Sequence, residues 1–154
     1  MGTNFYFSTK DKEFAHKFDY EIDEEPDLHY SIHLAKTSMG WLPLFQAHKG
    51  IINSVSDIKR IYDENSDKIR LVDEYNEEYT WDKFNERVLK HNGGVYGVMK
   101  RYKLDNKPGS MFYDESLPET GPISHLEYNQ KSKNNYSGYF KDSEGYEFDT
   151  RWFA

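Results

Sequence analysis

Chemistry needs convergent polar side chains, and this sequence offers them in three places. The first is Lys36-Thr37-Ser38-Met39-Gly40-Trp41, which joins a cation, two hydroxyls and a glycine to an indole. On a tight curve those donors could hold a phosphate or carboxylate, with Trp41 stacking on a base and His33 just upstream. It is not a Walker loop, because the upstream glycine spacing is missing. The plainer reading is a hairpin turn with Trp41 in the core.

The histidines are the second place. His29 and His33 fall on one face of a strand, where four residues put roughly 13 Å between their backbones, too far to share one metal ion. His48 and His125 could approach only through tertiary structure, so neither a metal nor a cofactor is expected. An enzyme built on His29, His33, His48 or His125 with nearby acids would be a metal-assisted phosphoesterase or nuclease. The chain carries no nucleophile elbow, dinucleotide loop or glycosidase-like carboxylate pair, and so names no catalytic residue.

The third place is acidic. Asp19, Glu21, Asp23, Glu24, Glu25 and Asp27 put six acids into nine residues with no base. Joined by Glu74, Glu77 and Glu78, they would present a negative patch to Lys and Arg on a partner. A solvated loop closed by Pro26 is the simpler alternative.

The elements that must position these groups read as α+β: a mostly antiparallel sheet covered by two or three short helices, in one domain spanning residues 1–154. Strands are expected at Thr3–Phe7, Leu28–Ala35, Trp41–His48, Ile69–Asp73, Val95–Leu104, Ile123–Tyr128, Tyr136–Lys141 and Tyr146–Phe153. In the second of these Leu28, Tyr30, Ile32 and Leu34 alternate with His29, Ser31, His33 and Ala35. Phe14 and Phe18 mark a short helix in Lys10–Tyr20. Ser54 or Ser56 caps a helix from Val55 to about Asp63, with Val55, Ile58, Ile61 and Tyr62 as its buried stripe. Thr80 caps another, with Trp81, Phe84, Val88 and Leu89 inward, stopped by Asn92-Gly93-Gly94. Asp105–Pro122 is a long turn-rich loop. Asp142-Ser143-Glu144-Gly145 turns the last hairpin.

Composition narrows the function. Mean hydropathy is −0.96 and 36% of residues are apolar, yet 13 Tyr, 10 Phe and 3 Trp supply an aromatic core. With no cysteine, disulfides and thiolate metal sites are excluded. No apolar run is long enough for a membrane helix, so a cytoplasmic protein is expected. The net charge of −7 disfavours direct nucleic-acid binding and suits contact with a basic protein surface.

Met1-Gly2-Thr3-Asn4-Phe5-Tyr6 followed by His33-Leu34-Ala35-Lys36-Thr37-Ser38-Met39-Gly40-Trp41 resembles a family of small phage and prophage proteins. Its members open on a similar Met-Gly-Thr-Asn-aromatic-aromatic stretch and carry a His-x-x-Lys-(Ser/Thr)-Ser-x-Gly-Trp motif. The likeness runs on through Gly50–Tyr62, Ile69–Thr80 and the second helix, with an echo at Gly145-Tyr146-Glu147-Phe148. Family members carry paired cysteines before the His-Lys motif, like a zinc knuckle, whereas Thr9–Asp27 has none here. The resemblance implies a phage accessory protein at work in a host bacterium. The expected function is a non-enzymatic, anti-CRISPR-like binder that counteracts a defence system by occluding a host protein. The alternatives are a sponge holding a nucleotide signal at Lys36-Thr37-Ser38 and a virion or assembly accessory. Edge strands could also support a homo-oligomer.

Overall fold

Phe5 and Phe7, two apart on a strand, put both rings on one face, and the core forms on that face. The computed structural model describes residues 2–17, 21–23, 29–91, 122–131 and 136–153. Strand β1 (Gly2–Thr9) is central and pairs antiparallel with β3 (His29–Ser38) and β5 (Ile69–Asp73). Along its other edge β3 carries β2 (Glu21–Asp23) and β4 (Leu44–Gln46). β6 (Glu78–Tyr79) pairs with β5, and β7 (Tyr139–Lys141) forms a hairpin with β8 (Glu147–Asp149). The order is β6-β5-β1-β3-β4-β8-β7, with β2 beside β3. Among the described strands only β4 and β8 pair in parallel, so the architecture is the expected α+β fold on a mostly antiparallel sheet.

Helices α1 (Lys12–Lys17), α2 (Val55–Glu64) and α3 (Trp81–Phe84) cover the inner face. Phe14, Ile58, Ile61, Phe84 and Val88 enter one buried cluster with Phe5, Phe7, Ile32, Leu71 and Phe148. Its packing is aromatic: the Phe5 ring meets Tyr79 edge-on at 5.4 Å and Phe84 at 5.9 Å, and Phe148 stacks between Phe45 and Phe140, both at 5.4 Å. Ser54, not Ser56, caps α2 by accepting the Asp57 N–H at 3.0 Å. Thr80 caps α3 through the Lys83 N–H at 3.2 Å. The hairpin turn between β7 and β8 adds a distant cap, since Asp142 accepts the Val55 N–H at 2.8 Å.

Several elements differ from expectation. β3 runs on through Lys36, Thr37 and Ser38, and the turn is confined to Met39 and Gly40, where Gly40 takes a φ of 88°. A bulge interrupts the β1–β3 register: Phe5 faces Ala35 and Tyr6 faces His33, which leaves Leu34 unmatched. Ala35 therefore shares the inner face with Ile32 instead of alternating with His33 on the other. The Trp41–His48 strand contracts to Leu44–Gln46, and Tyr146–Phe153 contracts to Glu147–Asp149. Part of the acidic run is a strand, because Glu21–Asp23 pairs with Ser31–His29. The segment expected as a strand at Ile123–Tyr128 becomes helix α4 (His125–Lys131), which lies on the outer face. Phe18, Asp19, Glu24, Glu25, Asp27, the Asn92-Gly93-Gly94 stop, the Val95–Leu104 strand and nearly all of Asp105–Pro122 lie outside the described residues. Among the described residues, no helix is long and apolar enough to cross a membrane.

Gly2 marks a close approach between β1 and β3. A Cβ there would lie 2.6 Å from Lys36 Cε, 2.8 Å from Ser38 Oγ and 2.8 Å from the Thr37 carbonyl oxygen. The two side chains can swing away but the carbonyl cannot. Gly2→Ala should lower unfolding free energy by about 1–3 kcal/mol, the usual cost of overpacking. A urea titration that leaves the midpoint unchanged would show that the strand end yields without cost.

Candidate binding face

Strand pairing fixes which side chains share the outer face. Lys36 pairs with Asn4 and with Leu44, Leu44 with Glu147, Gln46 with Asp149, and Tyr139 with Asp149. Directly opposed residues point the same way. The outer face thus gathers His33, Asn4, Gln46, Glu147, Asp149 and Tyr139 from five strands, covered by α4 and the residues after β8.

Its buried polar groups form three linked knots. In the first, His33 is 5% exposed, with Nε2 2.9 Å from Asn4 Oδ1 and Nδ1 3.5 Å from Gln46 Oε1. The Phe153 ring meets it edge-on at 4.9 Å. Gln46 ties down the end of the chain: its amide donates to the Arg151 carbonyl at 2.9 Å and its oxygen accepts the Phe153 N–H at 3.1 Å. Burial drives the His33 pKa from 6.5 down to about 4, against the opposing hydrogen bond to Gln46. The ring is therefore neutral near pH 7.

The second knot is a carboxylate that caps a helix from outside. Glu147 is 3% exposed and accepts the Ser124 hydroxyl, the His125 N–H at 2.8 Å and the Leu126 N–H at 3.4 Å. Ser124 in turn accepts the Glu127 N–H at 3.1 Å. These bonds satisfy the free amides at the start of α4 and explain why the segment is helical. The His125 ring donates from Nε2 to the Leu42 carbonyl at 3.1 Å. Burial lowers its pKa, and the nearby Glu147 and Asp149 charges oppose that shift.

The third knot holds a cation against aromatic rings. Asp149 is 1% exposed and accepts the Tyr136 hydroxyl at 2.6 Å, the Arg151 N–H at 3.0 Å and Arg151 Nε at 3.1 Å. The Arg151 guanidinium lies 3.8 Å from the Tyr136 ring centre, and Nη2 donates to the Tyr139 hydroxyl at 3.2 Å. Both tyrosine hydroxyls are pushed up, first by burial and also by the Asp149 charge. Tyr139 also meets Tyr136 edge-on at 5.1 Å and stacks on His125 at 6.2 Å. His125 stacks on Trp41 at 4.7 Å. A continuous ledge runs Trp41–His125–Tyr139–Tyr136–Arg151, and Trp152, the next residue after Arg151 in the chain, is 68% exposed.

The expected site residues land unevenly on this frame. His33 and Trp41 belong to the face, His33 in its buried interior and Trp41 half-buried at its edge. Lys36, Thr37 and Ser38 alternate along β3 instead of curving around one point, and Gly40 serves the turn and accepts the Ile123 N–H at 2.9 Å. His48 donates to the His33 carbonyl at 2.6 Å, and His125 lies against Trp41. Among the described residues, no three His, Asp or Glu side chains are grouped to hold a metal ion. Glu21 and Asp23 sit on β2.

Asn4, Gln46, Glu147, Asp149, Tyr136, Tyr139 and Arg151 were not among the expected site residues. One signal was present: Glu147 and Asp149 flank a phenylalanine in a strand, so both must share the face opposite the core. Whether that face is covered depends on α4, which the sequence reads as a strand. No protein-family model, no curated protein and no solved structure matches the chain.

Proposed function

We propose that this chain is a non-enzymatic binding protein that occludes a protein component of a bacterial defence system. The observation that carries this reading is the preorganised Trp, Tyr and Arg ledge, in which buried Asp149 fixes Tyr136 and Arg151 and Trp41 stacks on His125. Those three residue types dominate the energetics of protein interfaces, and side chains already fixed in place lose less entropy on binding. The buried acids Glu147 and Asp149 have their oxygens taken by Ser124, Tyr136, Arg151 and backbone amides, so they serve the scaffold. The phage setting comes from the resemblance of the Met1–Tyr6 and His33–Trp41 motifs. The nucleotide-sponge alternative draws less support, because Lys36, Thr37 and Ser38 alternate on a strand.

Trp152 is the cleanest probe, since it is exposed and can be removed without opening the core. Phage should plaque efficiently on a defended bacterium that expresses the chain. Trp152→Ala should restore defence, corresponding to roughly a thirtyfold loss of affinity if Trp152 is a hot spot worth about 2 kcal/mol. Equal plaquing with and without the chain, across a panel of defended hosts, would overturn the reading.

A further inference from the structure

The opposite side of the molecule carries a groove that the ledge does not use. It lies between α2, the helix beginning at Trp81 and the β7–β8 hairpin, with a volume of about 590 Å³. Its floor is apolar, formed by Val55, Trp81, Leu89 and Tyr146. After Phe84 the helix widens into a π-helical turn over Asn85–Leu89, closed by the Lys90 N–H on the Asn85 carbonyl at 2.9 Å. In a regular α-helix Leu89 would sit about 80° around the axis from Trp81. The wider turn brings it back into line, so that Trp81, Asn85 and Leu89 all face the groove.

The charges of the groove are unevenly satisfied. Lys59 pairs with Asp63 at 2.6 Å and Arg60 with Asp57 at 3.1 Å, so both cations are matched within α2. Glu64 and Glu144 also line the groove, and among the described residues neither is paired with a cation. Glu144 accepts the Ser56 hydroxyl at 2.9 Å, which sets it near the start of α2, while Glu64 ends the helix. Eight helical residues separate those points by about 12 Å. Two unmatched acids thus stand at opposite ends of an apolar floor.

The geometry points to a docking groove for an extended basic-apolar-basic peptide segment of a partner protein. In an extended chain, side chains four residues apart are separated by about 13 Å and share a face with the residue midway. A Lys or Arg at each end would meet Glu64 and Glu144, and an apolar residue between them would reach the floor. This groove is separate from the outer-face ledge and stands whether or not the ledge binds a defence protein.

The test is an NMR titration of the full ¹⁵N-labelled chain with two peptides, Arg-Ala-Leu-Ala-Arg and Glu-Ala-Leu-Ala-Glu. The basic peptide should shift the Trp81 indole N–H and the Tyr146 amide, and bind at least tenfold more tightly than the acidic one. Glu64→Gln combined with Glu144→Gln should erase that preference, and Trp152→Ala should leave it intact. Equal affinity for the two peptides, shifts confined to Tyr139 and Trp152, or a preference that survives the double substitution would each overturn the proposal.

Discussion

Replacing Glu147 with alanine should lower the unfolding free energy by about 3–5 kcal/mol and melt α4 from the sheet. The side chain is 3% exposed, and it accepts from the Ser124 hydroxyl and from the His125 and Leu126 amides. Hydrogen bonds to a charged acceptor contribute roughly 1.5–3 kcal/mol each, and donors left buried without a partner add a desolvation cost. The loss should exceed that of Ser124→Ala, which removes one donor and the Glu127 cap but leaves both amides bound. Urea titrations of the two single variants and the double variant would separate the terms. Near-additive losses would mean that Ser124 and Glu147 stabilise α4 independently. A Glu147→Ala chain as stable as the parent would show that this carboxylate does not hold the helix. Hydrogen exchange gives a local readout, because the His125 and Leu126 amides should lose protection before those of β1.

Acidification should destabilise the protein through His33, by about 3 kcal/mol between pH 6.5 and pH 4. Burial lowers the folded-state pKa from 6.5 to about 4. Between those values the unfolded chain binds a proton that the folded chain refuses, so stability rises with pH through that window. The contribution is fully present above pH 6.5 and is lost as pH falls toward 4. Carboxylates titrate nearby and His125 shifts in the same direction, so the quantity to measure is the difference between the parent and His33→Gln. That difference should shrink by about 3 kcal/mol on going from pH 7 to pH 4. The His33 ring proton resonances should titrate near 4. Titration near 6.5 would show that water reaches the ring and that Phe153 does not seal it.

Much of the fold was legible because local chemistry writes it. The Ser54 and Thr80 caps, the Val55, Ile58 and Ile61 stripe, the Ile69–Asp73 strand and the Asp142–Gly145 turn depend on residues within a few positions of one another. Gly145 takes its φ of 91° because the turn requires it and glycine accepts it. Those features survive without knowledge of what packs above them.

What tertiary structure alone decided is the outer face. Ile123–Tyr128 carries apolar residues compatible with a strand, yet a carboxylate 22 positions from His125 takes up its first amides and makes a helix. The Leu34 bulge shifts Ala35 inward, because the register of β1 against β3 outweighs simple alternation. His33 was visible as a candidate ligand, but its burial depends on Asn4, Gln46 and Phe153, brought together from three distant stretches. Composition and spacing determined an aromatic α+β domain with well-placed caps and turns. Long-range pairing decided which polar groups would be buried, since burial depends on what covers a face and not on the strand that forms it.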